Sequence, residues 1–337
     1  MGVVQVISNR PGAGKTSLIG ALLHQISRQG RNVAYYKPFS STPESDPDVA
    51  FISRHLLTDG SGPQVPNALP LPQTAEAGST LGEPLTRQIH ESMSSLAAAA
   101  DVVLVEGPGL ALAAKLSALP PRRIVLVAQY EKGLNVEALA SLTGPFSDSL
   151  AGVVINSFPV HRKKEVKQEL VAALKGRAVP VLGALPDDRT MLGVTLQQIA
   201  DHLGGQWVQD PENTDAYIDC FLIGGNIMDS GPSYFGRFPN QAVITRAERP
   251  DIQMASLMCD TRCLVLTGGT QPTEYVRVEA FQRGVPLILV DGDTISTAEA
   301  LSGLLEQANT YSLQKIQRFA YLVQEHLDNE ALGAILE

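Results

Sequence analysis

Short apolar segments alternate with stretches of helical periodicity along the first 205 residues. The apolar segments, rich in Val, Ile and Leu, occupy 3–8, 33–36, 101–107, 123–129, 151–157 and 179–185. Helical periodicity covers 16–29, 84–99, 134–142, 162–175 and 195–203. Strands that are apolar at nearly every position are typical of a sheet covered on both faces. The alternation therefore predicts an α/β domain with a mostly parallel sheet, helices on both faces and right-handed crossovers.

A second series of the same kind follows a cluster of Gly, Pro, Asn and Asp at 204–215. Strands are predicted at 217–225, 241–247, 262–269 and 285–292, and helices at 250–259, 272–283 and 297–308. Ser296 and Glu299 have the spacing of a capping box at the start of the last helix. The pattern predicts a first domain over 1–205, a smaller α/β domain over 213–308 and a tail over 309–337.

Two further segments carry structural predictions. Residues 312–327 place Ile316, Ala320, Val323 and Leu327 on one helical face, so this amphipathic helix must dock on another surface. We expect the tail helix and the exposed βα edges of the second domain to contribute to a homodimer. Residues 59–75 are rich in Pro and Gly and predict a long surface loop.

Composition limits the classes of partner. The chain has 337 residues, 44% of them hydrophobic, and a formal net charge of −9. It contains no long run of Lys or Arg, which argues against nucleic-acid partners and anionic membranes. No apolar run approaches the roughly 20 residues of a spanning helix. The absence of a signal-like start and the odd count of three cysteines favour a reducing, cytoplasmic location.

The stretch SNRPGAGKTS, residues 8–17, follows the first strand and precedes a helix. It matches the end of the phosphate-binding pattern G-x-x-x-x-G-K-[ST] at Gly14, Lys15 and Thr16, whereas the first glycine of the pattern is replaced by Asn9. Glycines let such a loop curl with its N–H groups inward, and the following helix adds partial positive charge. In this pattern the lysine reaches the β- and γ-phosphates and the hydroxyl holds Mg²⁺. The predicted nucleotide contacts are Asn9, Arg10, Pro11, Gly12, Ala13, Gly14, Lys15, Thr16, Ser17 and Asn156.

Polar side chains also stand where the other predicted strands end. Lys37 follows the second strand, Glu106 ends the strand in VLVEGPG, and Asn156 ends the strand in GVVINS. Ligands of open parallel sheets bind at this edge. Asp46 and Asp48 lie in ESDPDVAF, between the second strand and Glu106.

These motifs resemble those of dethiobiotin synthetase and related ATP-dependent amide-forming ligases. In that family the loop reads G-T-D-T-x-V-G-K-T, the second strand ends in Y-K-P and a later strand ends in E-G-A-G-G; here the matching stretches are SNRPGAGKT, YKP and EGPGL. The family also lacks a glycine at the position of Asn9. A closer likeness is to the dethiobiotin-synthetase-like region of long phosphotransacetylases, through VPVLGALPDD followed by VTLQQIADHLGG. There a DRTGG domain follows, and residues 217–305 resemble one.

The resemblance implies roles for individual residues. Thr16, Glu106 and an acidic residue, Asp48 before Asp46, would bind Mg²⁺. Lys15 and Lys37 would be catalytic, with Lys37 on a substrate carboxylate. Asn156 could pair with adenine, and because it is not followed by Lys-x-Asp we favour ATP over GTP.

Several positions depart from the family pattern. Arg10 replaces the loop Asp and has the spacing of the lysine in the K-G-G-x-G-K-[ST] loop of dimeric ATPases. Pro108 and Leu110 interrupt the glycine run, and residues 247–251 replace the usual G-D-R-T-D. We find no place for the acyl-transferring domain and do not expect phosphate acetyltransferase activity.

Three functions remain open at this point. The first is a regulatory sensor that binds ATP and Mg²⁺ and acts on a protein partner. The second is a ligase that activates a small carboxylate as an acyl phosphate. The third is a dimeric ATPase switch that uses Arg10.

Overall fold

The computed structural model describes residues 2–57, 63–72, 82–116, 123–212, 214, 216–225 and 231–337. The chain divides into two compact units, Met1–Asp187 with Thr310–Glu337, and Asp188–Asn309. The first unit thus contains both ends of the chain.

Within the described residues, no helix combines the length and apolar character needed to cross a membrane.

The first unit is built on a parallel sheet. Its strands are β1 (Gly2–Ser8), β2 (Val33–Tyr36), β5 (Val102–Glu106), β6 (Arg123–Gln129), β7 (Leu150–Phe158) and β8 (Val181–Pro186), in the order β2-β5-β1-β6-β7-β8. A separate two-stranded pair joins β3 (Phe39–Ser40) to β4 (Leu69–Pro70). The helices are α1 (Lys15–Arg28), α2 (Pro47–His55), α3 (Glu83–Ala99), α4 (Leu110–Lys115), α5 (Val136–Thr143), α6 (Val171–Gly176), α13 (Leu313–His326) and α14 (Asn329–Leu336). The α/β fold with a mostly parallel sheet, predicted from the sequence, is confirmed.

Strand β1 lies at the centre of this sheet. Val6 pairs with Glu106 of β5, and Ser8 pairs with Val127 of β6. One apolar core contains Ile7 and the β6 and β7 side chains, and a second packs α3 against β2 and β5. Because the strands are buried on both faces, the phosphate-loop segment after Ser8 starts from a rigid support.

The C-terminal helix α13 packs on α1 within the first unit. Its predicted apolar face is buried: Ile316 and Val323 are 0% exposed and Ala320 and Leu327 are 6% exposed. A Cβ placed on Gly20 would lie 2.5 Å from Ile316 Cδ1, so glycine permits the close approach of the two helices. The helix therefore docks on its own chain, and its apolar face gives no support to the expected homodimer.

The second unit has its own parallel sheet. Its strands are β9 (Val194–Thr195), β10 (Gln206–Trp207), β11 (Tyr217–Ile218), β12 (Cys220–Ile223), β13 (Gln241–Arg246), β14 (Thr261–Thr267) and β15 (Leu287–Val290). The main sheet has the order β10-β15-β14-β13-β12, with β10 antiparallel, and β9 pairs with β11. The helices are α7 (Arg189–Leu192), α8 (Leu196–Leu203), α9 (Gly231–Phe235), α10 (Pro250–Leu257), α11 (Glu274–Gln282) and α12 (Thr294–Ser302).

The unit boundary differs from the sequence-based division at residue 205. Helix α8 packs in the second unit, where Leu196 and Ile199 join the core formed with Ile244 and Val265. The tail predicted over 309–337 belongs to the first unit from Thr310 onward.

Three local predictions need correction. The helix placed at 297–308 begins at Thr294, because the Asp293 carboxylate accepts hydrogen bonds from Ile295 and Ser296 N–H and caps it, so Ser296 is not the N-cap. The helix placed at 162–175 consists of a 3₁₀ turn, a π-helical stretch over Glu165–Leu170 and α6. Within the loop placed at 59–75, Leu69–Pro70 forms β4, and residues 59–62 and 73–75 lie outside the described residues.

Candidate functional site

The segment after β1 is anchored at Asn9. The Asn9 N–H donates to the carbonyl of Val127 at 3.3 Å, and the Gln129 N–H donates to Asn9 Oδ1 at 3.0 Å. An asparagine side chain thereby extends the pairing of β1 with β6 by one residue beyond Ser8. A glycine could not make this side-chain contact. The contact therefore explains the presence of asparagine at the position where the general pattern has glycine.

The glycines of the loop adopt the left-handed region. Gly12 has φ 72° and Gly14 has φ 101°, conformations that favour glycine. A Cβ on Gly14 would lie 2.5 Å from Asn156 Nδ2. That nitrogen donates a 2.8 Å hydrogen bond to the carbonyl of Ala13. The donor of the buried Asn156 amide therefore braces the loop, and its predicted pairing with adenine stays a prediction.

Helix α1 begins with an electropositive end. Its N-cap is Gly14, which offers no side chain, and its first turn has no acidic residue. The first N–H groups of such a helix are available to an anion, and the helix dipole adds to their attraction. Lys15 Nζ donates to Ser8 Oγ at 3.1 Å, and Ser8 Oγ donates to the Arg10 carbonyl at 2.8 Å. The ammonium group thus lies against the loop whose N–H groups would hold phosphate.

A buried carboxylate faces the start of the same helix. Thr16 Oγ1 donates to Glu106 Oε1 at 3.0 Å, and the buried Tyr35 hydroxyl donates to Glu106 Oε2 at 2.9 Å. Burial, together with the negative charge of Asp48, raises the pKa of Glu106 to about 7 despite the lowering effect of Lys37 and Lys15. Glu106 therefore exchanges a proton near neutral pH.

Lys37 lies between two carboxylates. Its Nζ donates to Asp46 Oδ2 at 2.7 Å and to Asp48 Oδ2 at 2.5 Å. Burial lowers the Lys37 pKa, but Glu106 and the two aspartates outweigh burial and raise it overall. Burial likewise raises the Asp46 pKa, and the bonds from Lys37, Ser40 and Val49 N–H bring it below its usual value. The Lys37 ammonium and the Asp46 carboxylate are thus both held in their charged forms.

The two aspartates differ in their other contacts. Asp46 is the N-cap of α2, accepting from Val49 N–H at 3.0 Å, and it also accepts from Ser40 Oγ at 2.5 Å. Asp48 accepts from the Tyr311 hydroxyl at 3.0 Å through Oδ1. Asp46 thus has a structural role as a helix cap, whereas the carboxylate of Asp48 is held by the side chains of Lys37 and Tyr311.

Arg10 points away from this cluster of acidic and basic groups. Its Nη1 lies 3.4 Å from Glu131 Oε2, and both side chains are at least half exposed. Such a surface pair contributes about 0–1 kcal/mol. Arg10 is therefore available to an outside group at little cost in stability.

Several residues of the site were missed by sequence reasoning. They are Ser8, Tyr35, Ser40 and Tyr311. Tyr35 alternates with Tyr36 along β2, and nothing in that apolar strand indicates a partner for its hydroxyl. Tyr311 follows Asp48 by 263 residues, so no local pattern connects the two.

The residues present suit a magnesium ion. Within the described part of the chain, no cluster of three or more His, Cys, Asp and Glu side chains is arranged to hold a metal. Mg²⁺, however, usually takes one or two carboxylates together with water and phosphate oxygens. The Thr16 hydroxyl and the Glu106 carboxylate are in contact, and Asp48 is close enough to raise the Glu106 pKa. This set of hard oxygen donors beside the phosphate loop fits that preference.

Two domain families match the chain. Residues 3–193 match the family described as AAA domain, and residues 198–304 match the DRTGG domain. These matches confirm the phosphate-loop domain and the DRTGG domain expected from the sequence, in that order.

Curated relatives and solved structures extend the comparison. Phosphate acetyltransferase of Haemophilus influenzae is 21% identical over 96% of this chain and 51% of its own length, and that of Deinococcus radiodurans is 25% identical over 97% and 50%. The chain thus spans about half the length of these relatives. Cobyrinic acid a,c-diamide synthase from Mycobacterium smegmatis, solved with ADP and magnesium, is 16% identical over 56% of this chain and 88% of its own, with a TM-score of 0.38.

Proposed function

We propose that this chain, which belongs to the AAA domain family through residues 3–193, is a regulatory protein that binds ATP together with Mg²⁺. The observation that carries the proposal is the contact of Thr16 with Glu106 at the start of α1, directly after the Gly12–Gly14 loop. Phosphate-binding N–H groups, a lysine and a buried carboxylate then lie at one edge of the sheet. This combination recognises a magnesium-bound polyphosphate rather than a simple anion.

Each residue has a task in binding. The N–H groups of the loop and of the first turn of α1 would hold phosphate oxygens, and Lys15 would exchange its contact with Ser8 for one with phosphate. Thr16, Glu106 and Asp48 would hold the cation, which supplies positive charge that neutralises the polyphosphate. Deprotonation of Glu106 would accompany binding, because a nearby cation favours the carboxylate form.

The contacts of Lys37 favour a sensor over a ligase. A ligase would use Lys37 on a substrate carboxylate, and here two carboxylates of the chain itself, Asp46 and Asp48, already bind its ammonium group. The site is thus self-neutralised at the position where a carboxylate substrate would bind. The presence of Lys15, Lys37 and Glu106 at one sheet edge keeps the ligase as the second candidate.

The nucleotide base and the state of assembly are further parts of the proposal. ATP is preferred over GTP because Asn156 lacks the following Lys-x-Asp. A homodimer in which Arg10 reaches phosphates of the partner copy is the third candidate, supported by the exposure of Arg10. The DRTGG domain would transmit the nucleotide state to a protein partner.

Phosphate release from ATP separates the sensor from the ligase. Wild-type protein is assayed with Mg²⁺ and ATP alone, then with a panel of small carboxylic acids, and Lys37→Gln serves as the matched variant. The sensor predicts tight binding, slow phosphate release and no response to any acid. Release stimulated by one acid and lost in Lys37→Gln would establish the ligase instead.

A further inference from the structure

The segment that follows the second unit returns to the phosphate-loop unit. Asn309 ends the second unit, and Thr310 and Tyr311 are the first residues of the return. Ser17 Oγ donates to Thr310 Oγ1 at 3.1 Å, and the Tyr311 hydroxyl donates to Asp48 Oδ1 at 3.0 Å. Two consecutive residues near the C-terminus therefore contact two elements of the candidate site, the first turn of α1 and the start of α2.

The Tyr311 side chain is fixed by more than its hydroxyl. Its ring lies against Phe51 of α2, with ring centroids 5.6 Å apart and an interplanar angle of 47°. Aromatic pairs at such separations attract one another beyond their buried area. The ring position and the donated bond together define the direction of the Asp48 carboxylate.

The helix after Tyr311 holds the return in place. Ile316 of α13 packs against Gly20 of α1, and Gln25 Nε2 donates to the Ala320 carbonyl at 3.1 Å. Helix α1 is the helix that begins with Lys15. The return segment and the phosphate loop thus lie at the same end of the α1–α13 pair, where Ser17 contacts Thr310.

We propose that Tyr311 is a positioning residue of the cation site and that it orients Asp48 for Mg²⁺. This assignment rests on the proposed function. Lys37 holds Oδ2 of Asp48 and Tyr311 holds Oδ1, so each carboxylate oxygen has its own donor. If a ligand draws Lys37 away, the contact with Tyr311 continues to orient Asp48. The site is therefore completed by a residue encoded after the DRTGG domain, outside both matched families.

The test compares ATP affinity with and without the cation. Tyr311→Phe removes the hydroxyl and keeps the ring against Phe51, and Tyr321→Phe makes the same change at an exposed position of α13. ATP dissociation constants are measured by titration calorimetry in Mg²⁺ and in EDTA. Partners of metal ligands typically contribute about 10- to 100-fold to metal affinity. Tyr311→Phe should lose about tenfold in affinity with Mg²⁺ and less than about twofold in EDTA, while Tyr321→Phe matches wild type.

A double-mutant cycle separates positioning from a general structural role. In an Asp48→Asn background, adding Tyr311→Phe should leave the ratio of the ATP dissociation constants in Mg²⁺ and in EDTA unchanged. Suppose that wild type binds ATP and that Tyr311→Phe lowers the ATP affinity equally in Mg²⁺ and in EDTA, or in neither. The assignment of Tyr311 is then wrong, and the proposed function stands. If wild type binds no ATP under either condition, the proposed function is wrong and the assignment falls with it.

Discussion

Thr16 and Glu106 lie 90 positions apart in the sequence, and the Thr16 hydroxyl donates a 3.0 Å hydrogen bond to Glu106 Oε1. The contact joins the helix after the phosphate loop to the end of the neighbouring strand β5. It brings together the two residue types that a magnesium-bound phosphate requires, a hydroxyl at the loop and a carboxylate at the strand end. The consequences of burying that carboxylate can be measured.

Replacing Glu106 with Gln should change how stability depends on pH. The pKa of Glu106 is raised from 4.5 to about 7 by burial, so the folded protein binds a proton more tightly than the unfolded chain. The stability contributed by this proton is complete below pH 4.5 and is lost as the pH rises through 7. Relative to wild type, Glu106→Gln should gain on the order of 3 kcal/mol in unfolding free energy between these limits.

Urea unfolding followed by circular dichroism at several pH values tests this. Glu131→Gln is a suitable control because Glu131 is an exposed carboxylate at the same edge of the first unit. A difference between Glu106→Gln and wild type that stays constant from pH 4.5 to pH 8 would contradict the burial effect.

Binding of Mg·ATP should release a proton from Glu106. A cation beside a carboxylate favours its ionised form, so the released fraction should approach one proton per site near pH 6, fall as the pH rises through 7 and be small above pH 8. Calorimetry in buffers of different ionisation enthalpy measures the number of protons. The Glu106→Gln protein should lack this proton release when it is saturated with Mg·ATP. Equal proton release by the variant and by wild type would show that Glu106 is not the source of the proton.

Gly14→Ala should disrupt the phosphate loop. Gly14 has φ 101°, and its added Cβ would lie 2.5 Å from Asn156 Nδ2, the donor to Ala13. Gly133→Ala is the matched control, because Gly133 has φ 104° and its Cβ would meet no atom within 4 Å. Both substitutions carry a backbone cost of about 1–3 kcal/mol. Gly14→Ala should cost more stability than the control and should abolish ATP binding, whereas equal costs would exclude the contact with Asn156.

Gly20→Ala tests the packing of α13 on α1. In wild type the added Cβ would lie 2.5 Å from Ile316 Cδ1, whereas Ile316→Val removes that atom. Alanine is favoured over glycine within a helix by about 1 kcal/mol. Gly20→Ala should therefore stabilise the Ile316→Val protein by about 1 kcal/mol and stabilise wild type less, or not at all, in urea unfolding. Equal effects in the two backgrounds would show that Ile316 does not limit the helix contact.

Arg10→Ala should leave stability unchanged, because the exposed pair with Glu131 contributes about 0–1 kcal/mol. If Arg10 contacts phosphate within the chain or across a dimer, the variant should bind ATP about tenfold more weakly or turn it over more slowly. Nucleotide affinity and turnover equal to wild type would remove Arg10 from the site.

The sequence was sufficient for the features that depend on local pattern. Strands apolar at nearly every position, as in β1 and β6, could only be buried between helices, and Lys15 and Thr16 follow β1 at the spacing of a phosphate loop. The family resemblance indicated Asp48 and Glu106 as candidate magnesium ligands. Contacts made by side chains across long separations could not be predicted in this way.

Asn9 and Asp293 show the physical reason. Asn9 stands where the general phosphate-loop pattern has glycine, and its role depends on β6 lying beside β1, which residue 9 does not encode. At Asp293, two acceptable caps competed within four residues, and the carboxylate that reaches two N–H groups prevailed over the Ser296 hydroxyl. Tyr311 resembles Asn9 in this respect, since its contact with Asp48 requires the return of the chain from the second unit.

Binding of Mg²⁺ and ATP at the loop is best measured by titrating the wild-type protein with ATP, with and without Mg²⁺, with Lys15→Ala as the matched variant. We expect saturable binding of one ATP per chain that strengthens with Mg²⁺, weaker binding of GTP, and a loss of at least about tenfold in ATP affinity in a folded Lys15→Ala protein. If folded wild-type protein binds neither ATP nor GTP in Mg²⁺, or if Lys15→Ala binds ATP as tightly as wild type, the proposed nucleotide site is wrong.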